Sequence, residues 1–147
     1  MDKTLTLELV TPEKVAWSAS ADFVVLPALQ GEMGVLPGHQ PFLVQLVPGE
    51  VRVTVKDQVQ RFAVSGGFAE IKNNTISLFA ETAEMSGHID AERARQALEK
   101  AKEESLDPEI DSIRQAQLDA TIQRAQVRLR VARHGKGAPG PDPREQE

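Results

Sequence analysis

Apolar residues recur at every second position through much of the first eighty residues. Leu5, Leu7 and Leu9 alternate with Thr4, Thr6 and Glu8; Val51, Val53 and Val55 alternate with Arg52, Thr54 and Lys56; Ile76, Leu78 and Ala80 alternate with Thr75, Ser77 and Phe79. A period of two predicts strands with one buried face. The run Phe23-Val24-Val25-Leu26 is apolar on both faces, which predicts a more central strand. Turn residues punctuate these runs closely at Gly31, Gly34, Pro37-Gly38, Pro48-Gly49, Lys56-Asp57, Gly66-Gly67 and Asn73-Asn74. Short runs with such punctuation predict about eight to ten strands in an antiparallel sandwich or barrel. Gly66-Gly67 reads as a hairpin turn, and Gly31 to Pro41 as a tight loop with a bulge-rich strand.

The period changes at about Gly87. Residues 90–104 are rich in Ala, Glu, Lys, Arg and Gln and contain no Gly or Pro, and Asp90 is suited to cap a helix there. Pro108 disfavours helix at the residue before it. A second helix is expected from about Glu109 to Arg133, stopped by Gly135. Two helices joined by a short break make an antiparallel hairpin. The second helix carries two apolar stripes, Leu118, Ile122, Ala125, Leu129, Ala132 and Ile113, Ala116, Ala120, Val127, Val131, on nearly opposite sides. Either it lies permanently between two neighbours or it exchanges one for another, and periodicity favours the first. The expected class is therefore α+β: a β-sandwich over residues 1–86, a helical hairpin over 87–134, and a disordered Gly/Pro-rich tail over 135–147.

Composition narrows the picture. The chain of 147 residues suits one domain or a domain with an appendage, and it has no cysteine, which excludes disulfides and thiolate chemistry. No basic and apolar leader opens the sequence, and no apolar run approaches the ~18 residues of a membrane span. Charge is uneven: residues 1–87 hold ten acids and six bases, whereas 114–136 hold six bases and one acid, Asp119. Cationic charge concentrated on one helix without nearby acids points to an acidic partner. The segment has no aromatic residue to stack on bases, which argues against nucleic acid.

Catalytic chemistry is poorly supplied. His39 could act as a base, but no nucleophile lies near it in sequence, and a lone loop histidine is more often a surface residue. Ser65 in Ala63-Val64-Ser65-Gly66-Gly67-Phe68 is not in a Gly-x-Ser-x-Gly elbow. His39, His88 and His134 have no metal-ligand spacing. Besides a subunit of a larger assembly, a free-standing ligand-binding sandwich with a helical oligomerisation arm fits these facts. A hydrolase using Ser65 and His39 fits them badly, because no third group orients the pair.

Three stretches, Leu9-Val10-Thr11-Pro12-Glu13-Lys14, Gly31 to Pro41, and Ala63 to Phe68 followed by Ala69-Glu70-Ile71, resemble in order and spacing the epsilon subunits of bacterial F-type rotary ATP synthases. The resemblance covers residues 3 to 134 or so. It implies a non-catalytic central-stalk subunit, peripheral on the cytoplasmic face of the plasma (inner) membrane and touching the membrane only through the complex. The partners it implies are the gamma subunit, the c-ring and the catalytic beta and alpha subunits. It places Glu32 and His39 at the c-ring and gives the hairpin a compact and an extended form. In the extended form Arg114, Arg124 and Arg128 would meet acidic segments of the beta subunit and restrain hydrolysis. Ile89-Asp90-Ala91-Glu92-Arg93-Ala94 matches the family's nucleotide signature Ile/Leu-Asp-x-x-Arg-Ala. Ile89, Asp90, Arg93 and Ala94, with Glu84 upstream, are thus candidates for a regulatory ATP. Lys100 stands where ATP-binding members can have arginine, and no cofactor is required. The plainer reading is that Asp90 caps a helix and Arg93 is solvated.

Overall fold

The structure, a computed structural model, describes residues 4–13 and 15–135. Ten strands come first: β1 (Leu5–Val10), β2 (Val15–Ala21), β3 (Phe23–Ala28), β4 (Gly31–Val35), β5 (Phe42–Leu46), β6 (Gly49–Val55), β7 (Gln58–Val64), β8 (Gly67–Lys72), β9 (Thr75–Ala80) and β10 (Ala83–Met85). They form one curled sheet in the order β10-β7-β6-β3-β5-β8-β9-β1-β2, with β4 paired to β3. The sheet turns its corner between β3 and β5, where Ala28 and Leu46 are the pair in register. This folds it into two layers. Every pairing is antiparallel except β1 with β9, which runs parallel from Thr6↔Thr75 to Val10↔Phe79.

The alternating residues meet between the layers. Leu5, Leu7, Val24, Leu26, Val53, Ile71, Ile76 and Leu78 are all at most 1% exposed and belong to one cluster. Trp17 joins them with its ring centroid 4.9 Å from that of Phe62. Two tight hairpins have the chemistry expected of them. Lys56-Asp57 and Asn73-Asn74 hold φ of 49°, 67° and 51°, 58°. Positive φ at both central residues is what a two-residue turn of type I′ needs to match strand twist.

Two expectations are corrected. Gly66-Gly67 is not a hairpin turn: β7 pairs with β6 and β10, and β8 with β5 and β9. The two glycines instead carry the chain from one layer to the other, with φ of 115° and 129°. Gly67 also lies so close to β9 that a Cβ there would sit 1.9 Å from the Phe79 carbonyl oxygen. The Gly31 to Pro41 stretch is not bulged either. β4 pairs residue for residue with β3, and the register shift falls in β1, between Leu9 and Val10.

A single 3₁₀ turn, Ser86–His88, leads into α1 (Ala91–Glu104) and α2 (Ser112–His134). Asp90 caps α1, accepting a hydrogen bond from the Arg93 N–H at 3.0 Å. α2 begins three residues later than the pattern suggests. The Asp107 carboxylate accepts the Glu109 N–H at 2.9 Å and the Asp107 carbonyl accepts the Ile110 N–H at 3.3 Å. These bonds hold a turn, and Asp111 then caps α2 through the Arg114 N–H at 2.7 Å.

α2 lies between two neighbours, α1 on one side and the β6–β7 region on the other. Its buried residues accordingly come from both stripes: Leu118 and Ala125 from one, Val127 and Val131 from the other. The second stripe is covered only in its C-terminal half, where Val127 and Val131 pack with Ala63 and Ile89. Ile113 at its other end is 72% exposed. The tail expected beyond α2 lies outside the described residues from Lys136 onward.

Candidate functional site

The hairpin does not seal against the sandwich. A cleft of about 530 Å³ remains between them. Its walls are the β1–β2 turn (Thr11, Glu13), the end of β7 with Ser65, the segment Glu81 to Glu84, and one face of α1 and α2 (Ala97, Thr121, Arg124, Ala125, Val127, Arg128). Three carboxylates and two guanidiniums therefore line one space. Glu84 and Arg128 face each other across it, with Arg128 Nε 2.8 Å from Glu84 Oε1 and Nη2 3.0 Å from Oε2. Arg124 is exposed and donates to Thr121 Oγ1 at 3.3 Å.

The nucleotide candidates are divided by this geometry. Glu84 lines the cleft and is already paired. Ile89 packs on Ala63, Val127 and Val131, and Ala94 is fully buried. Asp90 spends one oxygen on its cap, and the Arg93 side chain is exposed on α1. None of these last four is among the cleft-lining residues. Ser65 plays a structural part. Its Oγ accepts the Thr82 N–H at 3.0 Å, and its own N–H donates to the Thr82 carbonyl at 3.2 Å.

Two of the arginines of α2 have acids beside them, contrary to the reading of their sequence. Arg114 makes two hydrogen bonds to Glu104 of α1, at 2.9 and 2.8 Å, and Arg128 has Glu84. The acids come from other elements, so a count along α2 alone misses them.

A second candidate surface surrounds Glu32 and His39. Glu32, at the start of β4, accepts two hydrogen bonds from Arg52 of β6, at 2.8 and 2.9 Å. That pairing holds the Glu32 carboxyl below the ordinary glutamate range against a smaller opposing effect of burial, with the charges of Arg52 and Arg130 adding to it. His39 sits on the β4–β5 loop, its Nδ1 2.7 Å from the Gln40 carbonyl and its ring edge-on to Phe42. Asn74 Oδ1 accepts the Gly38 N–H at 2.7 Å and ties this loop to the β8–β9 turn.

Sequence reasoning overlooked what lies on the adjoining outer face. Leu43 is 67% exposed, and Phe68 and Phe79, also exposed, stack on each other with centroids 4.9 Å apart. Gln45, Phe68 and Phe79 share one register across β5, β8 and β9. The available signal was a large apolar residue in the outward phase of an alternating strand, as Phe79 is between Leu78 and Ala80.

Residues 4–86 match the family profile described as ATP synthase, Delta/Epsilon chain, beta-sandwich domain. The chain belongs to the ATP synthase delta/epsilon family. The ATP synthase epsilon chain of Nitratidesulfovibrio vulgaris (strain DP4) is 41% identical over 131 residues, which are 89% of this chain and 97% of that one. The ATP synthase epsilon chain of Desulforamulus reducens is 46% identical over 113 residues, 76% of this chain and 86% of that relative. A chain in the structure of the Euglena gracilis mitochondrial ATP synthase, OSCP/F1/c-ring in rotational state 1, superposes with a TM-score of 0.79 at 26% identity. That match covers 91% of this chain and 84% of the other. Within the delta/epsilon family frame, the profile ends at Ser86, where the sheet gives way to the 3₁₀ turn and the hairpin.

Proposed function

We propose that this chain is the non-catalytic epsilon-type rotor subunit of an F-type ATP synthase, joining gamma to the c-ring at the cytoplasmic face of a bacterial plasma membrane. The observation that carries this reading is the extent of the likeness to bacterial epsilon chains, which runs past the sandwich into the hairpin. No helix among the described residues is long and apolar enough to cross a membrane; in this reading membrane contact comes through the complex. The exposed face of Leu43, Phe68 and Phe79 suits gamma, since large apolar side chains clustered on an outer sheet face mark a protein partner. Glu32, at the start of β4, and His39, on the β4–β5 loop, are the polar contacts for the c-ring.

The hairpin is the regulatory part. Among the described residues a small apolar cluster, the Glu84–Arg128 ion pair and the Glu50–His134 contact hold α2 to the sandwich, so its detachment is inexpensive compared with unfolding the sandwich core. Once detached, Arg124 and Arg128 are available to an acidic segment of the catalytic beta subunit and restrain hydrolysis. ATP is a fitting regulatory ligand for the cleft because Arg124 and Arg128 supply cations for phosphate. It must displace Glu84 from Arg128, and Asp90 and Arg93 would join only after α1 moves. Titration calorimetry on the isolated chain should give saturable ATP binding at millimolar concentration that Arg128→Ala abolishes. Absence of saturable heat would return Asp90 and Arg93 to cap and surface roles.

Co-purification with gamma tests the assignment itself, because a free-standing binding module has no reason to retain gamma. Leu43→Asp combined with Phe68→Asp should cost at least about tenfold in gamma affinity, as loss of apolar anchors does at interfaces. Both positions face solvent in the isolated chain, so its circular dichroism should stay unchanged. Undiminished gamma binding by that variant would move the interface elsewhere.

A further inference from the structure

Glu50, at the start of β6, is a buried carboxylate, 6% exposed. A buried charge costs several kcal/mol unless its lone pairs are occupied, and here they are occupied from two directions. Oε1 accepts from Arg61 of β7 at 2.7 Å and lies 3.4 Å from Arg52 Nη1 of β6. Oε2 lies 3.0 Å from Nδ1 of His134, the last residue of α2. One oxygen thus belongs to the sandwich and the other to the end of the hairpin. Just beyond, Gly135 presses on the 3₁₀ turn so closely that a Cβ would fall 2.3 Å from the Ser86 side chain. The end of α2 is therefore seated by both a polar contact and shape.

The same cluster reaches Glu32. Arg52 Nη1 is 2.8 Å from Glu32 and 3.4 Å from Glu50, so one guanidinium is shared between two carboxylates. Arg130 of α2 adds its field at Glu32. Glu32, Arg52, Glu50 and His134 form an unbroken chain of polar contacts from the β3–β4 end of the sandwich to the C-terminus of the hairpin.

We propose that Glu50 is the seat that locks α2 onto the sandwich, and that Arg52 couples this seat to Glu32. The inference rests on the reading that the hairpin detaches. When α2 leaves, Oε2 of Glu50 loses its partner, and Arg52 moves onto Glu50 and releases Glu32. A partner that supplies its own donor to Glu32 frees Arg52 in turn, lets it neutralise Glu50 beside Arg61, and weakens the hold on His134. Thermodynamic reciprocity requires the two effects to be equal. Occupation of the Glu32 surface thereby favours the detached hairpin, a signal that passes through the sandwich and not along the hairpin.

Amide hydrogen exchange on the isolated full chain tests this, with residues 124–134 read against β6 and β7. His134→Ala and Glu50→Gln are each expected to speed local exchange in 124–134 about tenfold, the effect of losing one charge-assisted hydrogen bond. The double variant should go no further than either single one. Glu32→Gln should raise exchange there a few-fold, and that increase should vanish in an Arg52→Gln background. Unchanged exchange in His134→Ala overturns the seat, whatever Glu50→Gln does to β6. An effect of Glu32→Gln that is absent, or that survives in Arg52→Gln, overturns the coupling; the second result would route it through Arg130. If 124–134 exchange only together with β6 and β7 in the unaltered chain, the detaching hairpin itself fails, and this inference with it.

Discussion

Gly67→Ala should destabilise the sandwich by about 3 kcal/mol or more. The position has φ of 129°, a conformation that only glycine adopts without strain. The new methyl would also fall 1.9 Å from the Phe79 carbonyl oxygen. That oxygen is backbone, in a strand paired on both sides with β8 and β1, so no flexible side chain can swing away. The strands must part or the corner must rebuild. A domain of this size has a total stability of about 5–15 kcal/mol, so the variant stands near the limit of folding. Ser65→Ala, two residues earlier, removes one hydrogen bond from the Thr82 N–H and should cost about 1 kcal/mol or less. Urea unfolding followed through Trp17, buried against Phe62, compares them. Equal midpoints would mean that the crossing between the layers relaxes freely and that the glycine is not required.

Hydrolysis by the assembled complex should respond to Glu84 and Arg124 in opposite directions. Glu84→Gln removes the partner that keeps Arg128 against the sandwich, the two side chains being 34% and 29% exposed. Losing one member of such a partly buried pair costs on the order of 1–2 kcal/mol, which shifts the docked-to-detached ratio by roughly 5- to 30-fold. More hairpins detach with Arg128 intact, so hydrolysis slows several-fold. Arg124→Ala leaves docking unaltered, since its contact is one exposed bond to Thr121, but it removes a charge the beta subunit would meet, so hydrolysis rises. A complex whose chain ends at Gly87 sets the uninhibited limit. Restraint in the unaltered complex should weaken with salt, because exposed charges are screened beyond about 8–10 Å. Identical rates for Glu84→Gln and the unaltered complex would show that this ion pair does not govern the hairpin.

Alternation gave away the sandwich because each strand has one wet and one dry face, and that fact is local. The I′ turns at Lys56-Asp57 and Asn73-Asn74 were equally local. Gly66-Gly67 was not, because the same dipeptide serves a hairpin or a corner. The inward residues on either side, Phe62 and Val64 or Ala69 and Ile71, do not say which strand each will face. The double stripe of α2 did announce two neighbours. The site was harder to read. Glu84 and Arg128 are 44 positions apart and Glu50 and His134 are 84 apart. Such pairs exist only once the hairpin has folded back, and a lone glutamate between Gly49 and Val51 looks like any surface acid. Asp90 and Arg93 were visible because they are neighbours on one helix, and the bond they share is the local one.

The parallel strand pair sets a timetable for the nascent chain. β1 leaves the ribosome ahead of the other strands of the sheet, yet one of its two partners, β9, ends at Ala80. At about 5–20 residues per second, the seventy residues from Val10 to Ala80 take on the order of 4–14 s to synthesise. Throughout that interval the β1 edge of the β1–β2 ribbon waits unpaired, with Leu5, Leu7 and Leu9 still uncovered. A chain released before Thr75 is thus a sticky, unclosed product, whereas one released after Ala80 is a sheet that can shut. Vectorial synthesis makes the last long strand of the sheet the clasp of the first.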